Sequence, residues 1–334
     1  MSLVRSRFVD FVPNMSQVEV GPRDVELFAL LEEFPYLPLP YIAELLGARG
    51  RTYLQRGKTI LRYPGLRARL TRLRKDGGYL RCPTQSWQAA NSRYRPAVYA
   101  LTHKAKKVLH ERRQPCPAIP LGNDFAHDLG ACLAAASFRI GVLPDPRLRF
   151  IGAPEILAHP ACPAAVRESA APFDIPVTYA HGDRTVIGTK SHDWVPWGIG
   201  ARLADGRERR IFFGGLEFDR STEPLETADA GRASLQRHLL SILALLEGGY
   251  RKHFGLPAVF IPIVTTGEAR MRSIMRLLMK LTGGMGSKYI LFKYVDDFAS
   301  YAPFPPATGH MLTEAWERVG FEPYSILPEL VGDL

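Results

Sequence analysis

Apolar positions recur at helical spacing through the first third of the chain. From Gly21, the residues Val25, Leu27, Phe28, Leu30 and Leu31 make a wide stripe up to Phe34, with Pro22 placed as an early helix residue. Residues 40–46 give a second, short helical pattern that stops at Gly47. A third runs over residues 66–75 and stops at Gly77-Gly78. In it Leu66, Leu70 and Leu73 repeat at i, i+4 and i+7 and face a core. At ~100° per residue the opposite face carries Ala68, Thr71, Arg72 and Lys75, flanked by Arg67, Arg69 and Arg74. The connection over 48–64 reads as a basic, partly ordered loop that touches phosphates. Two strand patterns follow, at 79–82 and 95–101, and Thr102 then caps a basic helix over 103–113.

Three prolines fall within residues 114–122, which read as a stiff connector. Asn123 or Asp124 caps a helix reaching about Ile140. His127, Ala131, Ala134 and Phe138 share one of its faces with Gly130 beside them, so the helix can lie close on a sheet. Strand patterns occupy 148–151, 185–189, 194–203 and 210–219. Residues 233–254 read as one long helix, with Leu235, Leu239, Ile242, Leu243 and Leu246 as its buried stripe. A wholly apolar strand at 258–264, a helix at 268–281, a strand at 289–295 and a last helix at 311–318 complete the pattern. Residues 141–176, rich in Ala and Pro, give no clear periodicity over most of their length. The expected class is α/β, a mixed layer design. The chain divides into 1–113, a linker at 114–122, and 123–334.

Charge sharpens this division. The 334 residues hold 43 Lys+Arg and 33 Asp+Glu, a net charge of +10. Residues 1–120 carry 21 basic and 9 acidic side chains, whereas 121–334 carry 22 and 24. Within 49–81, eleven basic residues face one acid, Asp76. A field of that sign and density selects a polyanion. A short helix, a connection and a basic third helix form the helix-turn-helix order, with the last helix as reader. The polar stretch between the two strand patterns reads as the wing of a winged helix. The expected partner is double-stranded DNA. It is read in the major groove by Arg67, Arg69, Thr71, Arg72 and Lys75, and Arg93 and Arg95 of the wing lie over phosphates. Protein–protein interaction is the other use of such a module.

No apolar run approaches the ~20 residues of a membrane span, and the first residues lack a secretory signal's apolar stretch. Cys82, Cys116, Cys132 and Cys162 form no C-x-x-C pair, which suits a reducing, cytoplasmic setting. No membrane partner and no small-molecule cofactor are expected, and a homodimer is the default for a DNA reader.

Chemistry is expected where acids meet strand ends. His192-Asp193 precedes one strand, and Glu217-x-Asp219 ends the next apolar one. Side chains two apart in a strand share a face, so Glu217 and Asp219 point the same way, and a hairpin brings Asp193 beside them. Three convergent carboxylates need a cation, and hard oxygen ligands suit Mg²⁺ or Mn²⁺. Solvated acids, or salt bridges to Arg220 or Arg232, are the plainer reading of the same residues.

This order of elements resembles the PD-(D/E)XK nuclease superfamily, whose core is αβββαβ. More narrowly, Leu216-Glu-Phe-Asp-Arg-Ser-Thr-Glu-Pro-Leu225 is similar to the E-x-D-r-g-T-E signature of replication-relaxation family proteins, which are encoded largely on plasmids and other mobile elements. The resemblance implies an N-terminal winged helix-turn-helix followed by a nuclease-like αβββαβ domain. It also implies a metal held by Asp193, Glu217 and Asp219 that nicks DNA in replication or transfer. Two departures bear on this. Asp219 stands where the superfamily has its lysine, and His238 on the following helix takes the place of the lysine of related proteins. The alternative is a transcriptional regulator or replication accessory factor whose nuclease-like domain has lost its chemistry and serves dimerisation or docking.

Other candidates carry less. His159 and Cys162 have no second pair for zinc. The glycine-rich 283–288 follows a helix rather than preceding one, unlike a phosphate loop. Asp296-Asp297 reads as exposed acids ending a strand, and Trp194 and Trp197 as core residues.

Overall fold

The computed structural model describes residues 18–55, 58–83, 97–112, 124–227, 233–296 and 305–331. The described residues up to 112 form one compact unit, and those from 124 onward form a second. The protein is a mixed α/β structure with several small antiparallel sheets and one mixed sheet. No described helix is long and apolar enough to cross a membrane.

The first unit contains α1 (Pro22–Glu33), β1 (Leu37–Pro38), α2 (Leu39–Leu45), β2 (Arg51–Gln55), β3 (Lys58–Arg62), α3 (Pro64–Lys75), β4 (Leu80–Arg81), β5 (Val98–Leu101) and α4 (His103–Arg112). Asp24 accepts the Gly21 N–H at 2.8 Å and so starts α1. Leu70 and Leu73 of α3 are fully buried with Phe28, Phe34 and Ile42. Each such side chain contributes about 1.5–3 kcal/mol relative to exposure. Strands β1, β5 and β4 form an antiparallel sheet in that order, with Leu37 opposite Tyr99 and Leu80 opposite Leu101. The Thr102 hydroxyl donates to the carbonyl of Gly78 at 2.8 Å and accepts the Ala105 N–H at 3.4 Å, which caps α4. One expectation fails. The connection between α2 and α3 is no loop but an antiparallel hairpin of β2 and β3, with Arg51 opposite Arg62. Its residues lack the apolar alternation that marks a half-buried strand, and Arg51, Thr52, Tyr53, Leu61 and Arg62 are exposed.

The second unit opens with α5 (Phe125–Val142), capped by Asp124, whose carboxylate accepts the Ala126 N–H at 2.9 Å. Then come β6 (Leu148–Ile151), α6 (Ala153–Ala158), α7 (Ala164–Arg167), β7 (Ile175–His181), β8 (Arg184–Lys190), β9 (Trp197–Arg202), β10 (Glu208–Phe213) and β11 (Glu217–Asp219). The rest is α8 (Leu235–Leu246), α9 (Gly249–Phe254), β12 (Ile261–Thr265), α10 (Glu268–Leu281), β13 (Ser287–Tyr294), α11 (His310–Thr313), β14 (Glu317–Val319) and α12 (Ile326–Val331). Strands β10, β9 and β6 form one antiparallel sheet, and β7 and β8 form a separate hairpin. Strands β11, β12, β13 and β14 form the mixed sheet, parallel except at β14. A single parallel bridge, Phe213 to Phe260, joins β10 to the chain leading into β12. Helix α5 lies against β11 so closely that a Cβ at Gly130 would sit 2.1 Å from the Phe218 ring. Further along α5, Phe138 meets Trp197, Phe213 and Trp316 in a buried aromatic cluster, ring centroids 5.1 to 5.8 Å apart.

Three elements differ from expectation. Residues 210–219 are not one strand but β10 and β11, broken at Gly214-Gly215. The helix expected over 233–254 is two, α8 and α9, because Gly248 turns the chain at φ 123°. The helix expected at 311–318 is a single turn, α11, followed by the strand β14, and α12 comes after it. Trp316, wholly buried with its indole N–H on the Met311 carbonyl at 2.9 Å, holds the chain out of helix there.

Candidate functional site

Helix α3 presents its cations outward. Arg67, Arg72 and Lys75 are exposed and make no ion pair among the described residues, and Thr71 spends its hydroxyl on the Arg67 carbonyl at 2.8 Å. Arg69 belongs elsewhere, which corrects its place among the readers. It donates Nε to Asp24 at 2.9 Å and Nη2 to the Glu19 carbonyl at 2.7 Å, tying α3 to α1. Arg93 and Arg95 lie outside the described residues, as does the expected wing.

The acidic centre of the second unit is built around the Gly214-Gly215 break. Gly215 has φ 154°, and a Cβ there would lie 2.3 Å from the His192 ring. A Cβ at Gly214 would lie 2.6 Å from Tyr250. Two glycines therefore let His192 and Tyr250 close on the chain just before β11. The Tyr250 hydroxyl and His192 Nε2 are 2.7 Å apart, and His192 Nδ1 meets Glu217 Oε1. Burial holds His192 below its ordinary value, against the pull of Glu217. A neutral ring that donates from Nδ1 to Glu217 and accepts the Tyr250 proton at Nε2 satisfies all three groups.

Glu217 gathers two more partners. Lys190, at the end of β8, places Nζ 2.7 Å from Oε1, and His238, in the first turn of α8, places Nδ1 3.2 Å from Oε2. Burial alone would raise the Glu217 carboxyl. The charge of Lys190, then the hydrogen bonds of His192 and His238, outweigh it and hold the group well below the usual carboxylate range. Tyr250 is pushed well up, first by burial and then by the Glu217 charge.

Asp193 and Asp219 are also taken. The Phe218 N–H donates to Asp193 Oδ2 at 2.7 Å, and His127 Nε2 lies 3.2 Å from the same atom. Burial would lower the His127 pKa, but its bonds to Asp128 and Asp193 prevail and push it up to about 10. Arg270 of α10 grips Asp219 with two bonds of 2.7 and 3.0 Å, and adds a third to the Glu223 carbonyl at 2.7 Å.

The structure thus places Asp193, Glu217, Asp219 and His238 around one cleft of about 60 Å³, lined also by His127, Arg220 and Thr222. It does not arrange them as ligands of one ion. Among the described residues no three His, Cys, Asp or Glu side chains form a set that could hold a metal. Each carboxylate instead carries a basic partner: His127 for Asp193, Lys190 and His192 for Glu217, and Arg270 for Asp219. The donor set does not fit the Mg²⁺ or Mn²⁺ that the resemblance implies. Arg220 pairs instead with Asp124, and Arg232 lies outside the described residues.

Sequence reading missed Lys190, Tyr250 and Arg270. Lys190 ends a strand well upstream of the glutamate it meets, and only the fold brings them together. The Gly-Gly pair inside an apolar strand was the one local sign of a close approach. Trp194 and Trp197 are buried, as core residues are. No family model matches this chain, and no curated protein or solved structure matches it either.

Proposed function

We propose that the chain is a sequence-specific double-stranded DNA-binding protein whose first unit acts as a winged helix-turn-helix, with α3 as the reading helix. One observation carries the proposal. Arg67, Arg72 and Lys75 on α3 stand exposed without ion pairs among the described residues. Over residues 121–334, by contrast, 22 basic side chains meet 24 acidic ones, so no such excess is left there. Cations left unpaired on one helix face suit a phosphate polymer. Arg72→Ala should weaken a specific complex by ~1–3 kcal/mol and relax preference at one base position. Competition titration of wild type and variant against a panel of selected duplex sites checks this. Unchanged affinity across the panel removes Arg72 from the reading face.

The second unit is proposed as a nuclease-like scaffold. This reading is supported by the run α5, β6, β9, β10, α8 and β12, which follows the αβββαβ order once α6, α7, the β7–β8 hairpin, β11 and α9 are set aside. Its centre, with every carboxylate paired, favours the role of accessory or regulatory domain, docking a partner or a second copy, over metal-dependent cutting. Incubating supercoiled plasmid with the protein and Mg²⁺ or Mn²⁺ tests this, and no nicking is expected. Nicking by wild type that disappears in both Asp193→Ala and Glu217→Ala would establish the cutting role instead.

A further inference from the structure

The hairpin between α2 and α3 is an arrangement the free protein has no use for. Residues 49–62 hold Arg49, Arg51, Arg56, Lys58 and Arg62 and no acidic residue. The register sets Arg51 directly opposite Arg62, and like charges facing each other across a strand pair are unfavourable. Arg49 and Arg51 are exposed and make no ion pair among the described residues. Tyr53, on the same face as Arg51, is 39% exposed and lies under the Arg62 guanidinium, 5.5 Å from its ring centroid. Leu61, on the other face, is 52% exposed. Arg51, Thr52, Tyr53, Leu61 and Arg62 of this two-stranded ribbon are all exposed.

The ribbon is nevertheless held at its base. Tyr63, the residue between β3 and α3, is buried and donates its hydroxyl to Glu44 of α2 at 2.8 Å. A Cβ at Gly50 would strike Leu61 at 2.5 Å, so the two strands close tightly where they leave the helices. The ribbon's direction is therefore set relative to α3.

Resting on the proposed reading of α3, we infer that this hairpin is a second DNA-binding element. It lies along the phosphate backbone beside the groove that α3 enters, with Arg51 and Arg62 on phosphates and Tyr53 against a sugar. The contact adds affinity and no sequence information, because phosphates carry none.

Salt dependence tests it. Affinity for a 30-base-pair duplex of arbitrary sequence is measured by fluorescence anisotropy across a salt series, for the full chain and for Arg51→Ala/Arg62→Ala. Each neutralised phosphate contributes ~0.9 to the slope of log affinity against log salt, so the double variant should lose about 2 from the wild-type slope. That equals about tenfold less salt-induced weakening over a fourfold change in salt. The loss should be equal on every duplex, and Arg51→Lys/Arg62→Lys should restore the slope. Circular dichroism confirms that the variants fold. A wild type that binds duplex, with the slope unchanged in the alanine variant, overturns the role of the hairpin and leaves α3 standing. An effect confined to anionic lipid vesicles would also overturn it. A wild type that ignores duplex at low salt removes both readings together.

Discussion

Glu217 is buried to a depth at which a lone carboxylate would be strongly unfavourable, and Lys190, His192 and His238 compensate it. Removing one partner from a buried pair leaves an uncompensated charge. Lys190→Met should therefore destabilise the second unit by about 3 kcal/mol, read as a lowered urea midpoint. If Lys190 takes the place of a metal ion, wild-type melting temperature should not respond to Mn²⁺, whereas Lys190→Met should gain a Mn²⁺-dependent rise. A saturable wild-type response that Glu217→Gln abolishes would show that the carboxylates do hold an ion. His127 gives a pH signature of opposite sign to that of an acid. Its pKa in the fold is raised from 6.5 to about 10. Its contribution is complete below 6.5 and is lost as pH rises through 10. Melting curves of wild type and His127→Gln should be well separated at pH 6 and converge above pH 10. A gap that widens instead would mean the imidazolium is not the stabilising form.

At the scale of elements, the sequence was most legible where one face alone is buried. Helix α10 runs over the expected residues 268–281, because Met271, Ile274, Leu277 and Leu278 keep an unbroken stripe. Legibility failed where packing, not periodicity, decides. The hairpin β2–β3 shows no apolar alternation, and Arg51, Thr52, Tyr53, Leu61 and Arg62 in it are exposed. The strand β14 is drawn to the sheet edge by contacts of Trp316 that lie far away in sequence. Two elements also depend on single residues. Asp24 and Arg69 join α1 to α3, and a double-mutant cycle with Asp24→Asn and Arg69→Ala should give a coupling of about 1–2 kcal/mol. Arg69→Ala should leave DNA preference unchanged, a prediction that sequence-selectivity profiling checks. Gly215→Ala combines a φ of 154° with a 2.3 Å approach to His192 and should cost about 2–4 kcal/mol, measured by denaturant melting. A neutral outcome would mean that the Tyr250–His192–Glu217 chain is dispensable to the fold.

For the molecule as a whole, the basic excess seen in the amino-acid sequence belongs to the first unit, where the exposed cations Arg67, Arg72 and Lys75 of α3 and Arg51 of β2 make no ion pair among the described residues. The three carboxylates were foreseeable as neighbours, since strand spacing and a hairpin suffice to gather them, whereas His238 on α8 was expected there from the resemblance alone. The basic groups that occupy the carboxylates were not foreseeable, since Lys190, Arg270 and Tyr250 arrive from three different elements.

The bridge between Phe213 and Phe260 gives the second unit a crease. Strands on either side are broadly paired, yet around Gly214-Gly215 the backbone is held by the Gly214 amide on the Phe260 carbonyl, at 3.0 Å, the Phe260 amide on the Phe212 carbonyl, at 2.9 Å, and the isolated Trp194–Leu216 bridge. Amide deuteration should advance there ahead of the flanking strands. The slackest stretch of main chain would then adjoin the most thoroughly enclosed charges, so that breathing of the crease and wetting of Glu217 become one event.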